Sequence, residues 1–559
     1  MNRPLVSVLS SIILGIVLFP ILKISSIGAV IVTASFLIIG FNLFPKKFLF
    51  ILSIFLCTSF LCTYNYYNIH ENNKSVYKIS IVKLDKKTNY GNYKGRKVIL
   101  IGALNKYEEG DKILVKGNFK KEINIEKGLA GIIFVDDSEK IKANKFKKLT
   151  KNFYKKLEEE LGEDAAIVIS ACLGQKDNLT EEQKENVSNL GIAHVISVSG
   201  FHMAIVYKVI EKVLGFWLGN IVALFYVIIT GGKGATWRAF IMILILKLGK
   251  KLFKDYDSIS ALSFSACLLL LIKPYWLYDV GFNLAYLATL GIILFYKKFQ
   301  RKVYLLPNWM NEAVAISLAA QVFTFPYIIL TIKKFSFNFL LANILIIPIF
   351  TPIIILGNIA FVFMYLKPIC NLIVLGLGMC INILNLSISL VNKIALPIVY
   401  ISDVVSYYYI SVLICIYFIR KGIKEFKKLP IVFLFISFVL MYDFIPKLTF
   451  FNDRNNKGVI IEKGFSKIFL TNSNNKYFIE NSNRKYQPTS NIKIKNNEIF
   501  SLGKCYFNVD KKLEYVDIIF NDKRIVFTEN KENINKYIYY DIIHLDKEKE
   551  NIFSLFRFK

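Results

Sequence analysis

Histidine, acidic residues and metal-ligand spacings are all scarce in this chain. Its 559 residues include four histidines (His70, His194, His202 and His544), and 41 Asp plus Glu stand against 71 Lys plus Arg. The eight cysteines fall mostly inside apolar stretches and form no C-x-x-C pair, so neither a disulfide framework nor a cysteine metal site is implied. No G-x-x-x-x-G-K-[ST] occurs, which excludes a P-loop motor within these residues, and no H-E-x-x-H or H-x-H-x-D-H offers a hydrolytic metal centre. The expected inventory is therefore no catalytic residue, no metal and no cofactor. Apolar residues dominate instead, at 54% hydrophobic with a mean hydropathy of +0.44. That excludes a disordered chain, and the blockwise arrangement of the apolar residues is the pattern of a multi-span membrane protein. The formal charge of +30 comes from 62 Lys and only nine Arg in an Ile- and Asn-rich chain. AT-rich coding produces the same bias, so the charge alone does not argue for a polyanionic partner.

Three apolar blocks open the chain, at 4–22, 26–43 and 48–66, and make up a first region, 1–66. The first block lacks an A-x-A-like cleavage site and is read as an anchor. Residues 67–146 are polar and strand-like, with runs at Val76–Leu84, Lys97–Leu104 and Lys112–Phe119. Residues 147–185 are expected to form amphipathic and connecting helices. Phe146, Leu149, Phe153, Leu157 and Leu161 make an apolar stripe expected to lie on the membrane face. Residues 186–446 hold ten further apolar segments, at about 198–215, 217–231, 235–252, 258–273, 280–297, 312–332, 337–366, 371–395, 404–420 and 429–446. Residues 447–559 return to an alternating, β-rich pattern. The fold class is thus a polytopic α-helical membrane bundle of about 12–13 spans with two soluble β regions. With the N-terminus placed in the cytoplasm, nineteen Lys and Arg fall at cytoplasmic span ends and six in short outer loops. The positive-inside rule selects that orientation, which puts both soluble regions outside the cytoplasm.

The polar chemistry is concentrated in a few places. Gly174 and a predicted Thr180–Gln183 capping box precede Gly191-Ile-Ala-His194-Val-Ile-Ser197-Val-Ser199-Gly200-Phe-His202. Polar groups this dense at the start of an apolar span should face protein or water rather than lipid. Packing hydrogen bonds between helices are the plain alternative. A Ser199–His202 nucleophile–base pair is a further one, but it lacks the Gly-x-Ser-x-Gly elbow and a nearby acid. Arg238 and Asp279 lie at similar depth in two spans and are candidates for an ion pair. Asn382, Asn385, Ser389 and Asn392 are spaced i, i+3, i+7 and i+10, one polar stripe on an otherwise apolar helix. Such a stripe belongs at a helix interface or along an aqueous path. Uncharged polar groups of this kind, with Gln321 and Asn343, would solvate phosphates without trapping them.

The segment from Leu173-Gly174 to His202 resembles the most characteristic motif of the ComEC competence proteins. The likeness continues, in the family's order, through Trp237-Arg238-Ala239, then Tyr278-Asp279-Val-Gly281-Phe282-Asn283, then Phe325-Pro326 and Ala342-Asn343. This resemblance implies a cell-membrane channel that carries single-stranded DNA inward during natural transformation. It also implies an OB-like fold for residues 67–146, where Tyr90, Tyr93 and Tyr107 are expected to stack bases. The implied partners are single-stranded DNA, membrane lipid, a DNA receptor outside and an ATP-driven translocase or helicase inside, with a homo-oligomer left open. Longer family members end in a metallo-β-lactamase-like nuclease domain. Residues 447–559 offer His544 alone for its His/Asp cluster, so no nuclease activity is expected, and the region is either a reduced remnant or an unrelated β domain that helps hold DNA. The competing readings are a transporter for another anionic solute or envelope polymer, and a membrane-embedded Ser/His hydrolase.

Overall fold

The computed structural model describes residues 3–559, apart from 70–75, 85–87, 105, 143–144, 253–255, 454–455, 495–497, 503–504, 510–512, 514, 521–522, 529–540, 545–550 and 555–559. Two units are distinguishable, Met1–Thr324 with Phe337–Leu396, and Phe325–Ser336 with Pro397–Lys559.

The first unit opens with α1 (Pro4–Ile24), α2 (Ser26–Leu43) and α3 (Lys46–Tyr67). Strands β1 (Val76–Lys83), β2 (Asn89–Tyr93), β3 (Arg96–Ile101), β4 (Lys112–Lys120) and β5 (Leu129–Lys142) close into a barrel in the order β1-β2-β3-β5-β4. Every pairing in it is antiparallel except β3 with β5. Alternate residues turn inward, as the two-residue period of a strand requires, so Tyr77, Ile79, Ile81, Val98, Leu100, Ile113 and Val115 form its core. Tyr93 and Tyr107 belong to that core, at 4% and 6% exposure, which corrects their reading as base-stacking surface residues. The Tyr107 hydroxyl hydrogen-bonds the Ser138 carbonyl at 2.6 Å and its Oγ at 3.0 Å. Of the three tyrosines only Tyr90 is half-exposed, with the Lys97 ammonium 4.5 Å above its ring. Tyr107→Phe is expected to destabilise the barrel by about 1 kcal/mol through the lost hydrogen bonds. Faster hydrogen exchange of the barrel amides in the variant than in the parent checks this.

Next come α4 (Lys145–Leu161), α5 (Ala165–Leu173) and α6 (Glu181–Asn189). The apolar stripe of α4 does not lie on a membrane surface. Phe153 and Leu157 are fully buried in the helical core, with Phe153 against Phe361 at 5.3 Å, because burying them against helices removes their surface from water just as lipid would. All nine residues of α5 are buried, as suits a helix apolar on every side. Helix α6 starts at the expected capping box: Gln183 N–H donates to Thr180 Oγ1, and Thr180 N–H donates to Gln183 Oε1, both at 3.2 Å.

The remaining helices of this unit are α7 (Gly200–Ile229), α8 (Gly234–Lys251), α9 (Ser258–Ile272), α10 (Val280–Lys302), α11 (Asn308–Thr331, continuing into the second unit), α12 (Phe339–Leu345), α13 (Ile347–Val362) and α14 (Lys367–Ile394). Helix α7 doubles back at Gly215, whose φ of +73° favours glycine. A Cβ on Gly219 would sit 3.3 Å from the Glu211 Cα, whereas eight residues of straight helix would separate them by about 12 Å. The two expected segments 198–215 and 217–231 are thus the arms of one hairpin, each of about fifteen residues. Helices α12 and α13 are bent by 51° at a break just before Pro348. Proline in a first turn is tolerated there but cannot extend the preceding helix.

The second unit carries α15 (Asp403–Arg420) and α16 (Leu429–Met441), and a two-strand pair of β6 (Lys334–Phe335) with β7 (Val399–Tyr400). Two five-stranded sheets follow. One is β11-β10-β9-β8-β17, built from β8 (Asp443–Asp453), β9 (Asn456–Gly464), β10 (Ser466–Thr471), β11 (Ser490–Lys493) and β17 (Asn551–Ser554). The other runs in order through β12 (Glu498–Leu502), β13 (Cys505–Val509), β14 (Tyr515–Phe520), β15 (Lys523–Thr528) and β16 (Asp541–His544). The last apolar segment, expected to reach 446, ends as a helix at Met441, and the β region starts at Asp443.

Among the described residues, eight helices are long and apolar enough to cross a membrane when the two arms of α7 are counted together, or nine if α12 and α13 form one broken span. The chain is a multi-pass membrane protein. The sequence segmentation counts more spans for identifiable reasons: the α7 hairpin takes up two segments, α8 carries Arg238 and three lysines, and α9 and α16 are short at 15 and 13 residues.

Candidate functional site

An open polar cleft lies between α6 and α14. Helix α14 buries Val374, Leu377, Ile381, Leu384 and Val391 on one face. Along the edge of that face run Asn382, Asn385, Ser389 and Asn392, all exposed, while the next flank is apolar and exposed at Ile383, Leu386 and Leu390. Helix α6 lies beside the stripe. Asn385 Nδ2 donates to Asp164 Oδ2 at 2.8 Å, and Asn392 Nδ2 reaches Asn186 Oδ1 at 3.5 Å. Between them is an open cleft of about 510 Å³ lined by Glu182, Asn186, Asn385, Ile388, Ser389, Asn392 and Lys393. Asn382 lies one turn beyond that lining. The cleft adjoins a smaller, largely apolar pocket formed by Ile167, Val187, Ile192, Ile196, Phe350 and Leu384 with Ile388. Sequence reasoning missed Asp164, Glu182 and Asn186 as partners of the stripe. Only the polar face of α6 and the Asp164 just before an all-apolar run hinted at them.

The loop from Gly191 to Ser199 forms part of this region through Ile192 and Ile196. At its end Ser199 caps α7: its N–H donates to His202 Nδ1 at 3.2 Å, and its Oγ lies 3.1 Å from the same nitrogen. His202 is fully buried, Ser197 is half-buried and His194 is exposed. The Ser199–His202 contact is thus a helix start, and among the described residues no acid partners the imidazole. Gly174 ends α5 at φ +74°, and its carbonyl accepts from Lys233 Nζ at 3.4 Å. Burial lowers the Lys233 ammonium below its ordinary value, with the neighbouring Lys176 adding to the effect and Asp177 opposing it.

Arg238 and Asp279 do not pair. Arg238 Nη1 donates to the Ala285 carbonyl and to Thr289 Oγ1 on α10, with the guanidinium 5.7 Å from the Tyr286 ring centroid. Asp279 instead caps α10, accepting from Phe282 N–H at 2.7 Å. A carboxylate at a helix N-terminus meets unsatisfied N–H groups and the positive end of the helix dipole, which competes well with a distant arginine. Gly200 packs against the Arg238 guanidinium, and a Cβ there would stand 2.6 Å from Nη2. Gly281 lies in the first turn of α10, Phe282 is buried between Trp276 and Tyr286, and Asn283 Nδ2 donates to the Leu277 carbonyl at 2.8 Å. Asn343 Nδ2 donates to Ser317 Oγ at 2.9 Å, and Gln321 Oε1 accepts from Thr324 at 3.0 Å. Arg238 and Asn343 link one helix to another, whereas the Gln321 contact stays within α11 and those of Asp279 and Asn283 fix the start of α10; the structure does not bring these residues to the cleft.

The barrel is tied to α4 by two ion pairs, Lys147–Glu109 at 2.9 Å and Lys151–Glu108 at 2.8 Å, and Lys147 also reaches Asp177 at 3.6 Å. The Lys151 hydrogen bond holds the Glu108 carboxyl below the usual carboxylate range. Such a depressed carboxylate favours the folded, docked state above its unfolded value of about 4.3, and the contribution disappears as pH falls through the folded-state value. Both partners of that pair are about half exposed, so the effect is small, about 0.2–1 kcal/mol. The thermal midpoint of Glu108→Gln should therefore lie slightly below that of the unaltered chain at neutral pH. The two should converge only as pH falls through the folded-state value of Glu108, which lies below about 4.3; a gap that persists once that carboxyl is protonated contradicts the ion pair.

Comparison with known proteins bears on this region. Residues 171–421 match the family described as Competence protein. This segment, somewhat less than half of the chain, is similar to the competence protein family. The matched segment begins at the end of α5, so it contains α6, α14 and the cleft between them. ComE operon protein 3 of Bacillus subtilis is 26% identical over 207 residues, covering 35% of this chain and 26% of that protein. An uncharacterised protein of Aquifex aeolicus is 28% identical over 271 residues, 47% of this chain and 62% of its own length. The uncharacterised protein MG316 of Mycoplasma genitalium is 29% identical over 143 residues, 24% and 37% of the two chains. The chain therefore spans between about a quarter and 62% of the relatives it matches. No solved structure matches it.

Proposed function

We propose that this protein is a DNA-uptake channel of natural transformation, passing single-stranded DNA across the cytoplasmic membrane. The observation that carries the reading is the polar stripe of α14, which faces α6 across an open cleft inside the stretch matched by the competence family. A lipid-facing row of three asparagines is unfavourable, and a wet cleft removes that cost. In this reading the N-terminus is cytoplasmic and both β regions are outside, in keeping with the distribution of lysine and arginine. The barrel, with its five strands in the order β1-β2-β3-β5-β4, serves as an OB-like module that meets DNA outside. Tyr90 and Lys97 are its half-exposed aromatic–cation pair.

No P-loop motif occurs in these residues, so in this reading the driving force comes from an ATP-driven translocase or helicase inside and delivery from a receptor outside. We assign it no nuclease activity; the C-terminal β region is then a reduced remnant or a support for the strand. The test is a deletion strain challenged with labelled DNA. Surface-bound DNA is expected to persist while nuclease-protected internal DNA is lost. Protected uptake at the parental level would refute the channel role.

A further inference from the structure

The chemistry of the cleft goes beyond a polar path for DNA, and the following rests on that reading. A groove that follows a nucleic-acid backbone lines itself with cations, because each phosphate brings a full negative charge. This cleft does the opposite. Among the described residues its lining holds one cation, Lys393, matched by Glu182, and Asp164 sits behind Asn385 as the acceptor of its amide. The rest of the lining is amide and hydroxyl, Asn186, Asn385, Ser389 and Asn392, over an apolar floor that begins at Ile388. A phosphate entering here meets no net positive charge.

A nucleobase suits the cleft better on each count. It is uncharged, its faces are apolar and its edge carries donors and acceptors that an asparagine amide can meet in pairs. We propose that the α6–α14 cleft recognises the bases of the strand, with the phosphates turned away toward water. The cleft volume of about 510 Å³ is of the size class of small-molecule sites and admits a base with its sugar. Amides read edges without discriminating strongly when the base is free to rotate, which is what a path for any sequence requires.

The experiment uses the purified full chain in detergent and two fluorescein-labelled probes of equal length and charge. One is oligothymidylate and the other is a phosphodiester with abasic sites throughout. Oligothymidylate is expected to bind at least about tenfold more tightly than the abasic probe. The double variant Asn385→Ala/Asn392→Ala should remove most of that preference while leaving the weak abasic binding unchanged. Both positions are exposed on α14, so the variant should fold, and a cooperative thermal transition lowered only slightly by the lost Asn385–Asp164 hydrogen bond checks that it does. Equal affinity for the two probes would overturn base recognition. A base preference that survives the double variant would place it elsewhere, in the barrel for instance, and overturn the assignment to the cleft. In either case loss of protected uptake in the deletion strain would still uphold the channel reading, so the two failures are separable.

Discussion

A leucine at Gly291 is expected to destabilise the helical core by about 3 kcal/mol and to cut sharply the yield of monodisperse protein. Gly291 lies midway along α10 where it crosses α11. A Cβ at this position would stand 2.2 Å from the Ala319 carbonyl oxygen and 3.5 Å from that of Ala320. The obstacle is backbone, which cannot swing aside as a side chain would, so the helices must separate. Within a membrane such separation forfeits the close van der Waals contact and small-residue packing that drive helix association there. Phe295 and Phe323, stacked edge to face at 5.8 Å one turn away, would lose contact as well. Gly376→Ala is the control, because its nearest neighbour, Leu356 Cδ1, is 3.8 Å from the added carbon. Thermal midpoints of the two purified variants against the parent decide the matter: equal midpoints would mean that α10 and α11 do not cross at this point.

The second large effect is on function with stability preserved. Asn385→Leu/Ser389→Leu is expected to reduce nuclease-protected DNA uptake by about tenfold or more, with normal protein levels in the membrane. Both side chains are exposed, and neither fills a core position; the stability cost is confined to the Asn385–Asp164 hydrogen bond at 2.8 Å, about 1 kcal/mol. Two leucines would turn the wet edge of α14 apolar and close the cleft against α6. Parental uptake at normal protein levels would remove the stripe from the DNA path.

How much of this was legible in the residues depended on the range of the interaction concerned. The Thr180–Gln183 box is readable because its partners are three residues apart and the motif satisfies its own backbone donors. The stripe of α14 is readable because helical geometry alone places i, i+3 and i+7 on one side. Its partners were not, since Asp164 and Asn186 come from elsewhere in the chain and local periodicity carries no information about which helices meet. The same limit explains Arg238 and Asp279. Similar depth made them candidates for each other, but the first turn of α10 offered Asp279 a nearer set of donors. The stripe on α4 was correctly amphipathic, yet amphipathicity states only that one face avoids water, and that face met α13 rather than lipid. Tyr93 and Tyr107 failed for a related reason: tyrosine is equally at home stacking outside a barrel or donating its hydroxyl within one, and only the register of β2 and the Ser138 acceptor decided between them.

The central claim is that the strand passes along the polar edge of α14, and photo-crosslinking during uptake tests it most directly. A photoreactive amino acid at position 389 should form DNA-dependent adducts in transforming cells. The same residue at Leu390, exposed on the apolar flank of the same helix, should give none. Adducts of equal strength at both positions, or at Leu390 alone, while uptake proceeds would contradict the account.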